Sequence, residues 1–160
     1  MGLRAKPSST RYDRHLPHIQ SSRNALFITF STYNRWALPY PARDLVMKHC
    51  LYEHQRKVHL HGLVIMPDHV HLVLRQLDDP AGHTYSLAEI MQGIKGSSSR
   101  TVNRLLNRHG PVWQRESYDH VPRRNESLHE AVKYICLNPV RKGLVTREDE
   151  YLWLWQDQDM

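Results

Sequence analysis

Residues 59–75 read HLHGLVIMPDHVHLVLR, and this stretch decides the fold of the chain. Two apolar runs flank Met66-Pro67-Asp68-His69, which predicts two antiparallel strands joined by a tight turn. Residues two apart on a strand point to the same face of the sheet. His69 and His71 can therefore reach one metal ion together, while the apolar residues that alternate with them point into a core.

The hairpin contains two His-x-His triplets, at 59–61 and 69–71, and the turn decides which face each occupies. If residues 67–68 form a two-residue loop, Val64 pairs with His71, and paired residues share a face. The 59–61 triplet is then predicted on the opposite face, an assignment that a one-residue slip would reverse. The 69–71 triplet is the better metal candidate because it adjoins the turn. The alternative, more common for an isolated triplet, is a pair of hydrogen-bonded strand histidines.

The other patterns predict the element order β-α-β-β-α-β-α. A strand near 25–33 and a helix over 42–57 precede the hairpin, and a strand over 112–121 follows a long helix. Capping boxes at Ser86 and Ser127 mark the starts of the last two helices. This order predicts an α+β fold: a ferredoxin-like βαββαβ antiparallel sheet, with an additional C-terminal helix to cover the free face.

The sequence also predicts irregularities within the last two helices. Gly93 and Gly96 weaken the middle of the long helix, which is expected to bend or break there. Its predicted inward face consists of apolar residues at helical spacing, namely Leu87, Ile90, Met91, Ile94, Val102, Leu105 and Leu106. The final helix is expected to end at Asn138, because Pro139 cannot continue it.

Composition favours a single domain in a reducing compartment. The chain has 160 residues, 40% of them hydrophobic, and two cysteines without paired spacing. No apolar run reaches membrane-spanning length, and none follows the basic N-terminal residues, so we expect neither a membrane span nor a signal peptide. The expected location is the cytoplasm, in association with the nucleoid.

The formal charge of +6 is unevenly distributed. Residues 1–24 carry five cations against one carboxylate, residues 91–124 carry seven against two, and residues 147–160 carry one against five. The basic segments favour a polyanionic partner such as nucleic acid, although a solvated basic surface explains them equally well.

We expect three parts in the chain: a flexible basic arm over residues 1–23, one globular domain over 24–145 and an acidic tail over 146–160. The tail, with its two tryptophans, could fold back over the basic surface and compete with a nucleic acid. Under that hypothesis, deletion of residues 147–160 raises activity.

The final helix supplies candidate partners for the histidines. Tyr134 and Asn138 are four residues apart and share a helix face beside the apolar stripe. Laid over the free sheet face, that helix could present a phenol and an amide oxygen to His69 and His71. Two imidazoles and an amide oxygen suit Mg²⁺ or Mn²⁺, with positions left for phosphate oxygens. A phosphodiester bound there could be attacked by Tyr134.

Three motifs in order resemble those of the single-tyrosine HUH transposases, and among them the REP-associated tyrosine transposases of bacteria. They are MPDHVH at 66–71, VWQRESYDHV at 112–121 and YICLNPVRKGLV at 134–145, and the resemblance covers residues 24–145. It implies the ferredoxin-like HUH nuclease fold with a catalytic domain in that range. It also implies Tyr134 as the nucleophile of a 5′-phosphotyrosine link to DNA, and His69, His71 and Asn138 as metal ligands.

The expected function is therefore a metal-dependent single-strand DNA endonuclease and strand transferase that cleaves near hairpins and uses Mg²⁺ or Mn²⁺. The alternative is a catalytically silent regulator with the same fold that binds hairpin DNA or RNA. Single-stranded or hairpin DNA is the expected partner. A monomer is preferred to a homodimer, although the sequence leaves open whether the final helix serves its own chain or a partner's.

Further residues are candidates for DNA contact through phosphate binding, base stacking or base-edge hydrogen bonds. The tryptophan among them has a core residue as its alternative, and each cation has a solvated side chain as its alternative. These candidates are Arg11, Arg14, Lys95, Arg100, Arg104, Trp113, Gln114, Arg123 and Arg124.

Overall fold

The computed structural model describes residues 10–12, 24–120 and 127–160, which form one antiparallel sheet with helices on both faces. The elements in chain order are β1 Thr10–Tyr12, β2 Leu26–Thr32, α1 Tyr40–Tyr52, β3 Val58–Ile65, β4 His69–Gln76, α2 Leu87–Leu106, β5 Trp113–His120, α3 Leu128–Cys136, α4 Asn138–Arg141 and β6 Leu154–Gln156.

The sheet order is β1-β5-β2-β4-β3-β6, and every neighbouring pair is antiparallel. The four inner strands, in the order β5-β2-β4-β3, together with α1 and α2 form the βαββαβ ferredoxin-like unit. The predicted α+β fold class is confirmed. The outermost strands, β1 and β6, have three residues each.

The two faces of the sheet are covered by different helices. Phe30 pairs with Val70, and its ring meets the edge of Trp113, whose indole nitrogen donates to Ser98 of α2. This face therefore packs against α2, and α1 packs beside it. On the other face α3 comes close to the sheet at Gly62, where a Cβ atom would lie 2.8 Å from Ile135 Cδ1. The expected C-terminal helix over the free face is confirmed.

The hairpin turn is as predicted, but β3 contains a bulge. Val64 pairs with His71, and the Met66 amide donates to the His69 carbonyl. The register then shifts between Leu60 and Gly62, so His61 is an extra residue in the ladder. Beyond the bulge His59 pairs with Arg75 and shares the face of His71. The prediction that the 59–61 triplet occupies the opposite face was wrong, because one inserted residue reverses the alternation.

Both capping boxes mark real helix starts. Ser86 Oγ accepts from the Glu89 amide, and Ser127 with Glu130 makes the reciprocal pair of bonds. The expected break near Gly93 and Gly96 is wrong, because α2 is a single 20-residue helix.

Two further helix predictions need correction. Leu105, expected on the inward face of α2, is half exposed. Pro139 does not end the helical segment: α3 ends at Cys136, and the proline lies in the first turn of α4, where its missing N–H costs no bond.

The chain ends differ from the sequence expectation where they are described. Residues 10–12, assigned to the arm, pair with β5. In the C-terminal segment β6 pairs with β3, and Tyr151 and Trp153 are buried. The described tail residues thus pair with β3, at the edge of the sheet away from β5. None of the described helices is long and apolar enough to cross a membrane.

Candidate active site

His69 and His71 lie on β4, on the sheet face that α3 partly covers, with ring centroids 4.7 Å apart. Thr29 pairs with His71 across the β2–β4 ladder, and its hydroxyl oxygen is 2.7 Å from His71 Nδ1. His69 Nδ1 donates to Asp68 Oδ1 over 2.7 Å. Both Nδ1 atoms are therefore engaged, and Nε2 is the available ligand atom of each ring.

Burial keeps both imidazoles neutral. It lowers the pKa of His71 to about 3. The charges of Arg141, Lys142 and Arg35 act in the same direction, as does His69 when it is protonated. Burial also lowers the pKa of His69, although its hydrogen bond to Asp68 opposes that shift. A neutral imidazole has a lone pair to offer a metal, so both side chains are in the ligand form at neutral pH.

Asp68 is held in place by Arg35. Arg35 Nε lies 3.0 Å from Asp68 Oδ2, and its guanidinium also donates to Ser31 Oγ over 2.6 Å. Burial alone would raise the pKa of Asp68, but the hydrogen bond from His69 and the Arg35 charge outweigh it and lower the pKa. The carboxylate therefore stays ionised and orients the His69 ring.

Asn138, the first residue of α4, has a buried amide oxygen. The residue is 5% exposed, and its Oδ1 has no hydrogen-bond partner within the described part of the chain. An unsatisfied buried acceptor costs roughly 1–3 kcal/mol, which a bound cation would remove. The end of α4 lies on the histidine side of the sheet, since the Arg141 guanidinium lies over the Tyr134 ring, which reaches His71 through Phe27. Two imidazole nitrogens and an amide oxygen fit Mg²⁺ or Mn²⁺ with open positions.

Tyr134 lies on α3 above the same sheet face and is half exposed. Its ring packs edge to face with the ring of Phe27, and their centroids are 5.9 Å apart. The centroids of the Phe27 and His71 rings are 5.4 Å apart. The Arg141 guanidinium lies over the Tyr134 ring, with its carbon atom 3.9 Å from the ring centroid. It also donates a hydrogen bond to the Tyr134 carbonyl oxygen. One chain thus brings Tyr134, Phe27 and His71 into contiguous contact.

A second tyrosine occupies this face. Tyr118 of β5 pairs with Thr29, which also pairs with His71, so all three share a face. Tyr118 is 42% exposed. It is therefore a second phenol within the candidate site.

The candidate DNA contacts on β5 and the facing part of α2 differ in how accessible their side chains are. Trp113 is 5% exposed and packs against Phe30, so its ring faces are not available for stacking on a base, and the core alternative holds. Gln114 is half-buried and lines a groove of about 600 Å³ between α2 and β5. Lys95 lies in the same groove, but its ammonium donates to the carbonyls of Gln114 and Arg115.

Arg100 and Arg104 are exposed on α2, which packs on the face opposite to His69 and His71. The structure therefore does not bring them to the histidine site. Arg11 lies in β1, where its backbone pairs with Tyr118. Arg14, Arg123 and Arg124 lie outside the described residues.

Sequence reasoning missed the residues that support the histidines. Arg141 and Lys142 belong to the C-terminal motif, and a basic pair that follows Asn138-Pro139-Val140 is a usable signal. Thr29 and Arg35 carry no comparable signal, because their roles depend on strand pairing and on a contact between distant segments. Asp68 directly precedes His69, but its position in the turn does not by itself indicate the hydrogen bond.

Together, these observations define an α+β protein with a ferredoxin-like sheet that carries a pair of neutral histidines on one face and a half-exposed tyrosine on the helix covering that face. Residues 28–138 match the family described as "Transposase IS200 like", and the chain belongs to this family.

Relatives agree with this assignment. A Haemophilus influenzae protein, provisionally named a REP-associated tyrosine transposase, is 28% identical over 89 residues, which are 52% of this chain and 51% of that protein. The chain thus spans about half the length of the curated relative it matches. A solved REP-associated tyrosine transposase bound to a REP hairpin superposes with a TM-score of 0.66 at 16% identity, over 89% of this chain and 82% of that one. This second likeness supports the fold.

Proposed function

We propose that the protein is a metal-dependent single-strand DNA endonuclease and strand transferase that acts near hairpins through a covalent 5′-phosphotyrosine intermediate. Family membership supports a transposase-like activity on DNA. The observation that carries the finer proposal is the contact series from Tyr134 through Phe27 to His71. Four residues after Tyr134, Asn138 adds a buried amide oxygen that has no hydrogen-bond partner among the described residues.

In this proposal His69, His71 and Asn138 hold Mg²⁺ or Mn²⁺, which when bound would polarise the scissile phosphate. Asp68 and Thr29 keep the two Nδ1 protons in place and so leave each Nε2 lone pair free for the ion. Tyr134 is half exposed, so a DNA strand can reach its hydroxyl.

The covalent step exchanges one P–O bond for another. The Tyr134 oxygen forms a bond to phosphorus and releases its proton, while the bond from phosphorus to the 3′ oxygen breaks. The departing 3′ oxygen takes up a proton, and the 5′ phosphate stays joined to the tyrosine. Attack by a 3′ hydroxyl on this ester then restores the phenol and completes strand transfer.

Charges around the site favour a phosphate-rich strand. Arg35 pairs with Asp68, the hydrogen-bond partner of His69, and the Arg141 guanidinium lies over the Tyr134 ring. Lys142 follows Arg141, and its charge also lowers the pKa of His71. Cations of this kind bind phosphate oxygens of DNA without reading the sequence. The solved relative described as bound to a REP hairpin supports a hairpin as the partner. Because Tyr134 and His71 of one chain share contacts through Phe27, we favour a monomer acting in cis.

The test uses labelled single-stranded and hairpin DNA with Mn²⁺ or Mg²⁺, followed by denaturing electrophoresis. We expect a protein–DNA adduct that is lost in Tyr134→Phe and in His71→Ala and that requires the metal. Tyr118→Phe is the matched control, since it removes the other exposed phenol of the same face and should keep the adduct. An adduct that survives Tyr134→Phe but not Tyr118→Phe would move the nucleophile to β5.

A mixing experiment tests the cis arrangement. Tyr134→Phe and His71→Ala chains, combined in equal amounts, should form no adduct if each site belongs to one chain. Restored adduct formation would instead mean that the tyrosine serves a partner. Hairpin binding with no adduct under any metal condition would favour the silent regulator.

A further inference from the structure

Three side chains with metal-ligating groups meet at a place distinct from the His69–His71 site. His59 and His61 come from β3, and Asp157 follows β6; one potential ligand atom from each lies within 4.8 Å of the others. His59 pairs with Arg75, four residues along β4 from His71, which separates the two groups by about 13 Å along the sheet. The proposed DNA chemistry makes no use of these residues.

The bulge in β3 sets the face on which this cluster lies. His59 and His61 are two residues apart, and their ring centroids lie 4.8 Å apart. Because His61 is an extra residue between Leu60 and Gly62, His59 lies on the same face as His71. The Asp157 amide donates to the His61 carbonyl over 3.0 Å, which fixes the carboxylate segment beside them. Asp157 Oδ2 lies 2.8 Å from His59 Nε2. Backbone geometry therefore brings the three groups together.

His61 provides an independent observation that points to a ligand, because one of its ring nitrogens has no hydrogen-bond partner among the described residues. This nitrogen, Nδ1, is buried. A buried imidazole nitrogen left in this way is unfavourable, because it has lost its hydrogen bonds to water without gaining another. Coordination to a cation would satisfy it.

We propose that His59, His61 and Asp157 form a second metal site, for a transition-metal ion of the Zn²⁺ class, that ties the C-terminal segment to β3. Two imidazoles and one carboxylate are ligands that Zn²⁺ accepts, with a fourth position for water. Arg75 faces the cluster and only one carboxylate is present, so hard cations such as Mg²⁺, which prefer several oxygens, are disfavoured.

The required rearrangement is small. Bonds of about 2.0–2.1 Å place tetrahedral ligand atoms roughly 3.3 Å apart, so the longest separation must shrink by about 1.5 Å. Rotation of three half-buried side chains can supply this movement. The ion would replace the proton that His59 Nε2 donates to Asp157, and that proton would leave to solvent.

His54 is not a ligand in this arrangement, although its ring centroid lies 5.1 Å from that of His59. Its Nδ1 accepts a hydrogen bond from the Leu60 amide, which places the proton of the neutral ring on Nε2. The site therefore depends on His59, His61 and Asp157.

The experiment measures Zn²⁺ binding to the untagged, chelator-treated full chain by titration calorimetry and by metal analysis after dialysis. The background is His69→Ala/His71→Ala, which removes the first site. We expect this protein to retain one Zn²⁺ per chain and to gain thermal stability with Zn²⁺ but not with Mg²⁺. Adding His61→Ala or the isosteric Asp157→Asn should abolish both effects.

His83→Ala is the matched control, because His83 is also beside an aspartate, Asp79, but is highly exposed and outside the cluster. Its substitution should leave Zn²⁺ binding unchanged. The proposal is overturned if the background variant binds no Zn²⁺, or if Asp157→Asn, folded by circular dichroism, binds it as tightly as its parent. If Asp157→Asn does not fold, His59→Gln replaces it. Neither outcome depends on DNA cleavage, so the proposal of a Zn²⁺ site and the proposed function are tested independently of each other.

Discussion

The hydroxyl oxygen of Thr29 lies 2.7 Å from Nδ1 of His71, directly across the β2–β4 ladder. With the Nδ1 proton donated to this oxygen, the ring has one tautomer and one orientation. Outer hydrogen bonds of this kind are commonly as important to a metal site as its ligands.

Thr29→Val removes this acceptor and keeps the side-chain shape. We expect Mn²⁺ affinity at the His69–His71 site to fall by about 10–100-fold, measured by calorimetry in an Asp157→Asn background. Thr29→Ser should preserve the affinity because it keeps the hydroxyl. Equal affinity of the valine variant and its parent would show that the hydroxyl does not orient the ring.

Acidification should destabilise the metal-free protein through His71. Its pKa is about 3 in the folded state, against an ordinary value of 6.5. Between these values the unfolded chain binds the proton and the folded one does not, so the free energy of unfolding falls as pH drops from about 6.5 towards 3. Urea unfolding in chelator at several pH values should show a shallower decline for His71→Gln. Parallel curves for the two proteins would contradict the assignment.

Gly62→Ala tests the contact between α3 and the sheet. The new Cβ atom would lie 2.8 Å from Ile135 Cδ1 and 3.2 Å from Val132 Cγ1, so either these side chains change rotamer or α3 shifts. We expect a loss of about 1–3 kcal/mol in the free energy of unfolding and weaker adduct formation, because Tyr134 moves with α3. Gly93→Ala is the control: its Cβ meets only Glu53 Oε1 at 3.7 Å, and helix propensity favours it. A fully active, equally stable Gly62→Ala protein would contradict this account.

Trp153→Ala tests whether the C-terminal segment is part of the core. The indole is 6% exposed, donates to Asp44 Oδ1 over 2.7 Å and lies under the Arg43 guanidinium. Its removal should cost about 3–5 kcal/mol in urea unfolding. Leu152→Ala changes a neighbour that is 77% exposed and should be nearly neutral. Higher activity and unchanged stability on deletion of residues 147–160 would instead support the hypothesis of a competing tail.

Local patterns predicted most of the fold. The capping serines at 86 and 127 and the turn at Pro67-Asp68 depend on residues close in sequence, and each formed as expected. The same turn correctly pairs Val64 with His71. The close packing of Tyr134 over His71 through Phe27 follows the expectation that the final helix covers the free face.

The failures involve long-range or permissive features. No residue pattern marks the bulge at His61, yet this single insertion reverses the face of His59. The sequence predicts that Pro139 ends the final helix, but proline is also favoured in the first turn of a helix, which is where α4 has it. A tryptophan at position 113 is compatible both with stacking on a DNA base and with packing in the core. The contact with Phe30, which identifies it as a core residue, joins segments far apart in the sequence.

The three-residue strand β6 has a consequence for solubility. β3 has eight residues, most of them buried, and without β6 its outer N–H and C=O groups would form an open apolar edge. Such an edge is a template for pairing with another molecule and thus for aggregation. β6 covers Gly62, Leu63 and Val64 and is itself too short to offer much of an edge. Loss of the C-terminal segment should therefore make the protein prone to self-association even where the chain still folds.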